Sequence, residues 1–198
     1  IIWHSFENNI LMKKLILFIA LILIAIIALP AQEILNIDTN KSTIKWIGEY
    51  TFYFGGHDGF INFKEGYFIK TGDIITGGEF VIDMNSIINA DIKEKEGKDN
   101  LVDHLKDPDF FDVKKYPKAT LEITSVKYFE NNQAKFHVNM TIKGITKPIN
   151  FNADLDYSNK TMTTRFKIDR KEFNVNYQSK FKDSAISDAI GFEVSISL

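Results

Sequence analysis

The stretch DHLKDPDFFDVKKYP, Asp103–Pro117, separates a short helical pattern from a long region of β alternation. Asp99 and Asn100 are both residue types that cap helices, so a helix is expected to begin there. It is expected to end at Lys106, because Pro108 pushes the residue before it out of the helical region. The pattern therefore predicts a short helix that crosses the end of a sheet or barrel before the chain continues as strands.

Apolar and polar side chains alternate with a period of two on both sides of this crossover. Such alternation is typical of antiparallel strands that have one wet face and one dry face. About eight strands are predicted, at residues 43–50, 61–70, 79–84, 119–124, 135–143, 149–157, 162–168 and 192–198. Turns or loops are predicted at residues 55–59, 87–98, 130–133, 144–148 and 158–160.

Short turns between successive strands make a meander, and a meander of this length either closes on itself or packs as a sandwich. Periodicity alone does not separate these two folds. We expect the closed antiparallel barrel, because closure removes the open sheet edges that invite aggregation. The interior of an eight-stranded barrel is just wide enough for side chains or one small ligand.

The N-terminal part of the chain reads as a leader rather than as part of this fold. Met12–Lys14 carries two positive charges, and Leu15–Leu29 follows with fifteen residues that lack a polar side chain. This pattern predicts a signal peptide over residues 12–32, and residues 1–11 are expected to be an upstream misannotation. An uncleaved membrane anchor is the alternative, although a spanning helix needs about 20 apolar residues. Residues 33–198 would then form one domain in the periplasm or outside the cell.

Composition narrows the class of protein. The chain has 24 basic and 26 acidic side chains, a balance that does not favour binding to nucleic acid or to anionic membrane surfaces. It has no cysteine, so an exported form would have no disulfide and would depend on burial for its stability. Its 17 phenylalanines and 7 tyrosines require either a packed core or a lined cavity.

Three spaced motifs carry a resemblance to a known family. They are His104–Asp112 followed by Tyr116–Pro117, then Met140–Pro148, and then Ile168–Phe173. With these motifs in this order, the chain from about Leu35 to its end resembles the YceI-like family. One departure is an aspartate, at position 169, where the family usually has an asparagine before its arginine.

The resemblance implies an all-β fold, an antiparallel eight-stranded lipocalin-like barrel with a short helical crossover near residues 99–106. It also implies export to the periplasm and an elongated cavity that holds an isoprenoid, such as a polyprenyl pyrophosphate or a quinone. Members of the family are also described as dimers, so a homodimer is a possible assembly. No stable membrane insertion is expected once the leader is removed.

Seven residues are candidates for ligand binding. Five phenylalanines on dry faces are expected to line the cavity, although ordinary core packing would give the same alternation: Phe52, Phe80, Phe136, Phe151 and Phe166. His104 would meet a polar head group or, alternatively, bond to the aspartate-rich loop as a structural residue. Arg170 would clamp a phosphate or, alternatively, form an ion pair that pins the last strands together.

Other polar side chains read as structural. His57 and His137 are expected to be solvated, and Lys143 and Lys147 flank a turn where they would either gather an anionic head group or remain in solvent. His57, His104 and His137 all lack the spacing of a metal site, and there is no cysteine, so no metal is expected. The sequence also lacks serine-hydrolase, zinc-protease and phosphate-loop motifs, so no enzyme activity and no cofactor are expected.

Two main functions remain open at this level. The first is an exported protein that holds an isoprenoid-type lipid in a barrel cavity. The alternative is a ligand-free structural or stress-response barrel that acts through contacts of its surface with other proteins. A weaker third hypothesis is an enzyme that acts on a bound lipid through His104 and neighbouring carboxylates.

Overall fold

The computed structural model describes residues 12–18, 31–51, 54–177 and 186–198. The chain divides between Gln32 and Glu33 into two units. In the first unit, residues 12–18 are helical and exposed. The remainder of the predicted signal peptide up to residue 30, and residues 1–11, lie outside the described residues. None of the helices in the described ranges is both long enough and apolar enough to span a membrane.

Within the described part of the second unit, eight antiparallel strands, β2–β9, close into a barrel, and a short strand, β1, lies beside β3. The strands are β1 Gln32–Asn36, β2 Thr43–Tyr50, β3 Gly56–Thr71, β4 Ile74–Asn89, β5 Lys118–Tyr128, β6 Gln133–Ile142, β7 Ile145–Asp156, β8 Thr161–Asp169 and β9 Ile186–Ser197. Pairing of β3 with β4 closes the ring, so the predicted barrel is confirmed and the sandwich alternative is wrong.

The strands differ from the prediction mainly in length. β2 has the predicted bounds, whereas β1 was not predicted and β3 and β4 are each 16 residues long. The predicted turn at 55–59 is wrong in extent, because strand β3 already begins at Gly56. The predicted turn at 144–148 is also too long. Lys143 and Gly144 both have positive φ angles, which reverses the chain in two residues as hairpins favour.

The crossover helix, α1, spans Lys95–Lys106. Its end is as predicted, because Asp107 is extended before Pro108. Its predicted start is wrong: the helix begins at Lys95, and Glu94 precedes it without a side-chain capping bond. The charged run before Asp99 was assigned to a loop because it lacks apolar periodicity, yet an ion pair between Lys95 and Asp99 supports that first turn.

Helix α1 closes one end of the barrel. The chain leaves β4 at Asn89, passes through α1, and re-enters the sheet at Lys118, which pairs with Asp83. Because successive strands run in opposite directions, the β2–β3, β6–β7 and β8–β9 connections lie at this same end. We call it the helix end. A 3-10 helix, Arg170–Phe173, starts the last of these connections.

Inward-facing aromatic rings form a continuous ladder across four neighbouring strands. The ring centroids of Phe136 and Phe151 lie 5.8 Å apart, those of Phe151 and Phe166 4.7 Å, and those of Phe166 and Phe192 5.4 Å. The first two pairs are stacked within 15° of parallel. The ladder forms because these residues occupy the same level of β6, β7, β8 and β9 in the strand register.

Position 59 must be a glycine because the ring of Trp46 and the carbonyl oxygen of Ile88 both lie directly against it. Trp46 donates from Nε1 to the carbonyl oxygen of Ile88 at 3.1 Å. A Cβ at position 59 would lie 2.7 Å from the Trp46 ring and 1.8 Å from the Ile88 oxygen. At Gly48, in contrast, the nearest heavy atom would be 3.8 Å away.

We expect Gly59→Ala to lower the free energy of unfolding by about 2–3 kcal/mol, because the added methyl group displaces the Trp46 ring and a backbone carbonyl. Gly48→Ala, on the strand that carries Trp46, is the matched control and should change it by less than about 0.5 kcal/mol. Urea unfolding followed by tryptophan fluorescence measures both. Equal stability of the two variants would contradict this account of Gly59.

Candidate functional site

The barrel encloses a cavity of about 210 Å³. Its walls are almost wholly apolar and come from all eight barrel strands and from α1. Among its lining residues are Trp46, Ile61, Phe63, Phe68, Phe80, Leu101, Leu105, Phe136, Met140, Phe151, Met162, Phe166 and Phe192. Four of the five predicted phenylalanines therefore contact the cavity, and their role in binding stays a prediction. Phe52 lies outside the described residues.

The segment after α1 covers the cavity at the helix end. Phe110 is buried and Phe111 is half-buried, and both rings line the cavity, with their centroids 5.0 Å apart. The backbone of this segment folds back on the helix: the amide of Phe111 donates to Leu105, and that of Val113 donates to Lys106. The two rings therefore pack into the barrel mouth.

Lys143 ties this segment to the rest of the helix end. Its Nζ donates to the carbonyl oxygens of Pro108 at 2.9 Å, Phe110 at 2.7 Å and Asn174 at 3.2 Å. One ammonium group on the β6–β7 turn thus joins the crossover to the connection that follows β8. The sequence suggested either an anionic head group or solvent around Lys143. Neither prediction included these three hydrogen bonds to backbone carbonyl groups.

His104 points a polar atom into an apolar environment. Its Nε2 is buried and has no hydrogen-bond partner among the described residues. Its ring packs edge-on against Tyr177, at 4.4 Å between centroids, and against Phe110, at 5.7 Å. His104, Asp107 and Asp109 also bring ligating atoms within 4.8 Å of one another, a grouping that the sequence spacing did not indicate. Both aspartates are exposed.

The side chain of Arg170 is held by the protein itself. It is 2% exposed and donates from Nε to Ser187 O at 3.1 Å and from Nη1 to Val175 O at 2.6 Å. Its Nη2 lies 3.2 Å from Asp188 Oδ1. These contacts pin the β8–β9 connection to β9, which is the structural reading of the sequence. The phosphate-clamp reading stays a prediction.

Asp169 shows why the departure at this position is tolerated. Its Oδ1 accepts from the amide of Lys171 at 2.9 Å, so the aspartate caps the 3-10 helix that carries Arg170. Asparagine offers the same side-chain oxygen to an N-terminal amide.

A hydrogen-bonded chain of three side chains was missed by sequence reasoning. Tyr50 Oη lies 2.9 Å from His57 Nε2, and His57 Nδ1 lies 2.8 Å from Asp91 Oδ2. Tyr50 and His57 also line the cavity, so His57 is half-buried rather than solvated. His137 is exposed, as predicted. These three side chains meet because β3 pairs with the end of β4. The sequence alone does not predict that pairing.

Asp91 anchors this chain electrostatically. Burial raises the pKa of its carboxyl group, but hydrogen bonds from His57, the Asp58 amide and the Asn89 side chain together hold that pKa below its ordinary value. The ionised carboxylate therefore stabilises the fold above the ordinary aspartate pKa. That contribution is lost as the pH falls through the lowered value.

We expect Asp91→Ala to lower the free energy of unfolding at pH 7 by about 1–3 kcal/mol, because a partly buried charged acceptor is removed. The difference in the free energy of unfolding between Asp91→Ala and the wild type should narrow below about pH 4, as the carboxylate becomes protonated. Urea unfolding at pH 7 and pH 3 measures this. Asp103→Ala, at an exposed position of α1, is the control and should show no such gap. A gap that does not change with pH would contradict the ionic role.

We expect Lys143→Met to lower the free energy of unfolding by about 2–3 kcal/mol, because three carbonyl groups lose a charged donor. Hydrogen exchange should also quicken at the amides of Phe111 and Val113, which belong to the tied segment. Lys147→Met is the control, since the described residues give Lys147 no hydrogen bond or ion pair. Unchanged exchange in Lys143→Met would show that the segment is held by its rings alone.

Comparison with known proteins gives a family match that covers most of the chain. Residues 35–198 match the family described as the YceI-like domain. A UPF0312 protein of Pseudomonas putida is 44% identical over 50 residues, which are 25% of this chain and 26% of that protein. Protein YceI of Salmonella arizonae is 40% identical over 52 residues, 26% of this chain and 27% of that protein. These alignments span about a quarter of the length of the curated relatives.

Solved structures share the architecture. The crystal structure of BcnA from Burkholderia cenocepacia superposes with a TM-score of 0.61 at 22% identity and covers 81% of this chain and 98% of its own. The YCEI protein of Campylobacter jejuni gives a TM-score of 0.51 at 22% identity, covering 68% and 82%. At these identities the likeness shows the fold alone.

Proposed function

The chain belongs to the YceI-like domain family, and from that premise we propose that it is a lipid carrier that holds one isoprenoid-type chain in its barrel. The observation that carries the proposal is the cavity, whose walls are almost wholly apolar and whose helix end is covered by the crossover. Water would find few hydrogen-bond partners in such a space, whereas an apolar chain can pack against its walls. A ligand-free barrel would be expected to pack this interior with its own side chains.

The driving force is the removal of apolar surface from water. Each Å² of apolar ligand area that leaves water contributes about 25 cal/mol. The cavity of about 210 Å³ is smaller than the roughly 300–1,000 Å³ of common small-molecule sites. This size favours a slim chain over a broad ring system, and a prenyl tail has that shape.

Location and assembly are part of the proposal. The basic and then apolar pattern from Met12 to Leu29 supports export, so we propose that the carrier acts in the periplasm or outside the cell. A diffusible carrier there would move a water-insoluble lipid between membranes. A homodimer and a role in stress response are compatible with this function but are not required for it.

The proposal is tested by native mass spectrometry of the full chain produced in a Gram-negative host. We expect added mass that matches an isoprenoid lipid, released on unfolding. A second measurement uses Trp46, which lines the cavity, with Trp3→Phe as the background because Trp3 is the other tryptophan. Decylubiquinone should quench Trp46 in a saturable manner. A clean mass together with no saturable quenching would favour the ligand-free alternative.

We expect Ala119→Phe to weaken decylubiquinone binding at least tenfold, because Ala119 is buried at the cavity wall and a phenyl ring there would occupy the ligand's space. Thr163→Phe adds the same ring at an exposed position on β8 and should bind as the wild type does. Trp46 quenching measures both. Wild-type affinity in Ala119→Phe would place the ligand elsewhere.

A further inference from the structure

We propose that the bound lipid presents a neutral hydrogen-bonding group, a hydroxyl or a carbonyl, to His104 Nε2, and that the cavity selects against phosphorylated isoprenoids. This inference rests on the proposed carrier function and specifies the ligand's polar end.

The first observation is the buried Nε2 of His104, which has no partner among the described residues. Buried polar atoms are nearly always hydrogen-bonded, so an unpaired atom in a native structure calls for a partner. The polar side chain of Thr164, which also lines the cavity, bonds to Asn152 O at 2.7 Å. His104 is the exception, and it lies on the helix that covers the cavity.

The second observation is that the described lining of the cavity offers no free cation. Its described lining includes neither a lysine nor a carboxylate, and Arg170 is its only permanently charged group. Arg170 already donates to Ser187 O and Val175 O and pairs with Asp188. A phosphate brought into this apolar space would therefore lose its hydration without a compensating positive charge from the described lining.

The third observation is the charge around His104. Asp107 and Asp109, both exposed, bring carboxylate oxygens within 4.8 Å of a ring nitrogen of His104. Two carboxylates at that distance repel an anionic head group and leave a neutral one unaffected. Lys143 holds the crossover in place, and its ammonium group already donates hydrogen bonds to three carbonyl oxygens. A hydroxyl satisfies Nε2 in either tautomer because it can donate or accept, whereas a carbonyl satisfies the tautomer in which Nε2 carries the proton.

The test compares three twenty-carbon probes that share an apolar chain: geranylgeraniol, geranylgeranyl pyrophosphate and the hydrocarbon phytane. Each probe competes with decylubiquinone for the full chain, with Trp46 quenching as the readout. We expect the alcohol to bind about fivefold more tightly than the hydrocarbon, the ratio given by one net hydrogen bond of about 1 kcal/mol. The pyrophosphate should bind more weakly than both.

His104→Phe should erase the advantage of the alcohol over the hydrocarbon while leaving the affinity of the hydrocarbon unchanged. It should also raise the melting temperature of the ligand-free protein or leave it unchanged, because an unpaired buried nitrogen is removed. His137→Phe makes the same change at an exposed histidine and should match the wild type. His104→Gln keeps a hydrogen-bonding group and should retain part of the preference, which tests the proposal even where the phenylalanine variant folds poorly.

Each of the following results would overturn the inference. One is tighter binding of the pyrophosphate than of the alcohol. Another is an equal loss of all three probes in His104→Phe, which would show that the ring only packs. The third is a rise in melting temperature with Zn²⁺ that is lost in His104→Phe, which would make Nε2 a metal ligand. Binding of the hydrocarbon without preference for the alcohol would refute only this inference, whereas no binding of any probe would refute the carrier function as well.

Discussion

Strict alternation along eight paired strands sends every second side chain into one shared interior, and the pairing of β3 with β4 seals that interior. Every other feature of the molecule depends on this closure. The register of β6, β7 and β8 brings the rings of Phe136, Phe151 and Phe166 to one level. Closure also fixes both ends of the tube, so that a single short helix is enough to cover one of them.

The helix end is where the apolar interior meets polar groups, and the protein satisfies those groups one at a time. Arg170 is enclosed by carbonyl oxygens and a carboxylate, and Lys143 by three carbonyl oxygens. Asp91 fixes His57, which in turn meets Tyr50. Because buried charges are tolerated only when they are paired, these bonds hold the end in one arrangement. Against that background, His104 stands apart, because its buried Nε2 has no hydrogen-bond partner within the described ranges.

The strands and the barrel could be predicted from sequence because period-two alternation is a local signal. Thr43–Tyr50 was predicted with its observed bounds for this reason. The signal failed where tertiary pairing overrides composition: Gly56–Gly59 has the composition of a turn, yet it begins β3 because it pairs with β2. The start of α1 was predicted too late for a related reason. The first turn of the helix is polar all round, so its composition resembles that of a loop.

The candidate site was only partly accessible to the same reasoning. Alternation placed Phe80, Phe136, Phe151 and Phe166 on inward faces, but it gave no information on the volume left between them. The link from His57 to Asp91 depends on the strand register, and the bonds of Lys143 join three segments that are remote in sequence. Polar contacts of this kind have no periodic signature, so only coordinates bring them together.

The lysine on the β6–β7 turn also has a consequence for the order of assembly. Its ammonium group donates hydrogen bonds to one carbonyl oxygen 33 residues earlier in the chain and to another 31 residues later. The first contact spans the β5–β6 hairpin and the second spans the β7–β8 hairpin, so docking of the crossover is expected to follow the pairing of these strands during folding. Until then the tube remains open at one mouth. A nascent chain would thus have an interval in which a long, water-insoluble molecule could thread in end-first, before the cover settles over it.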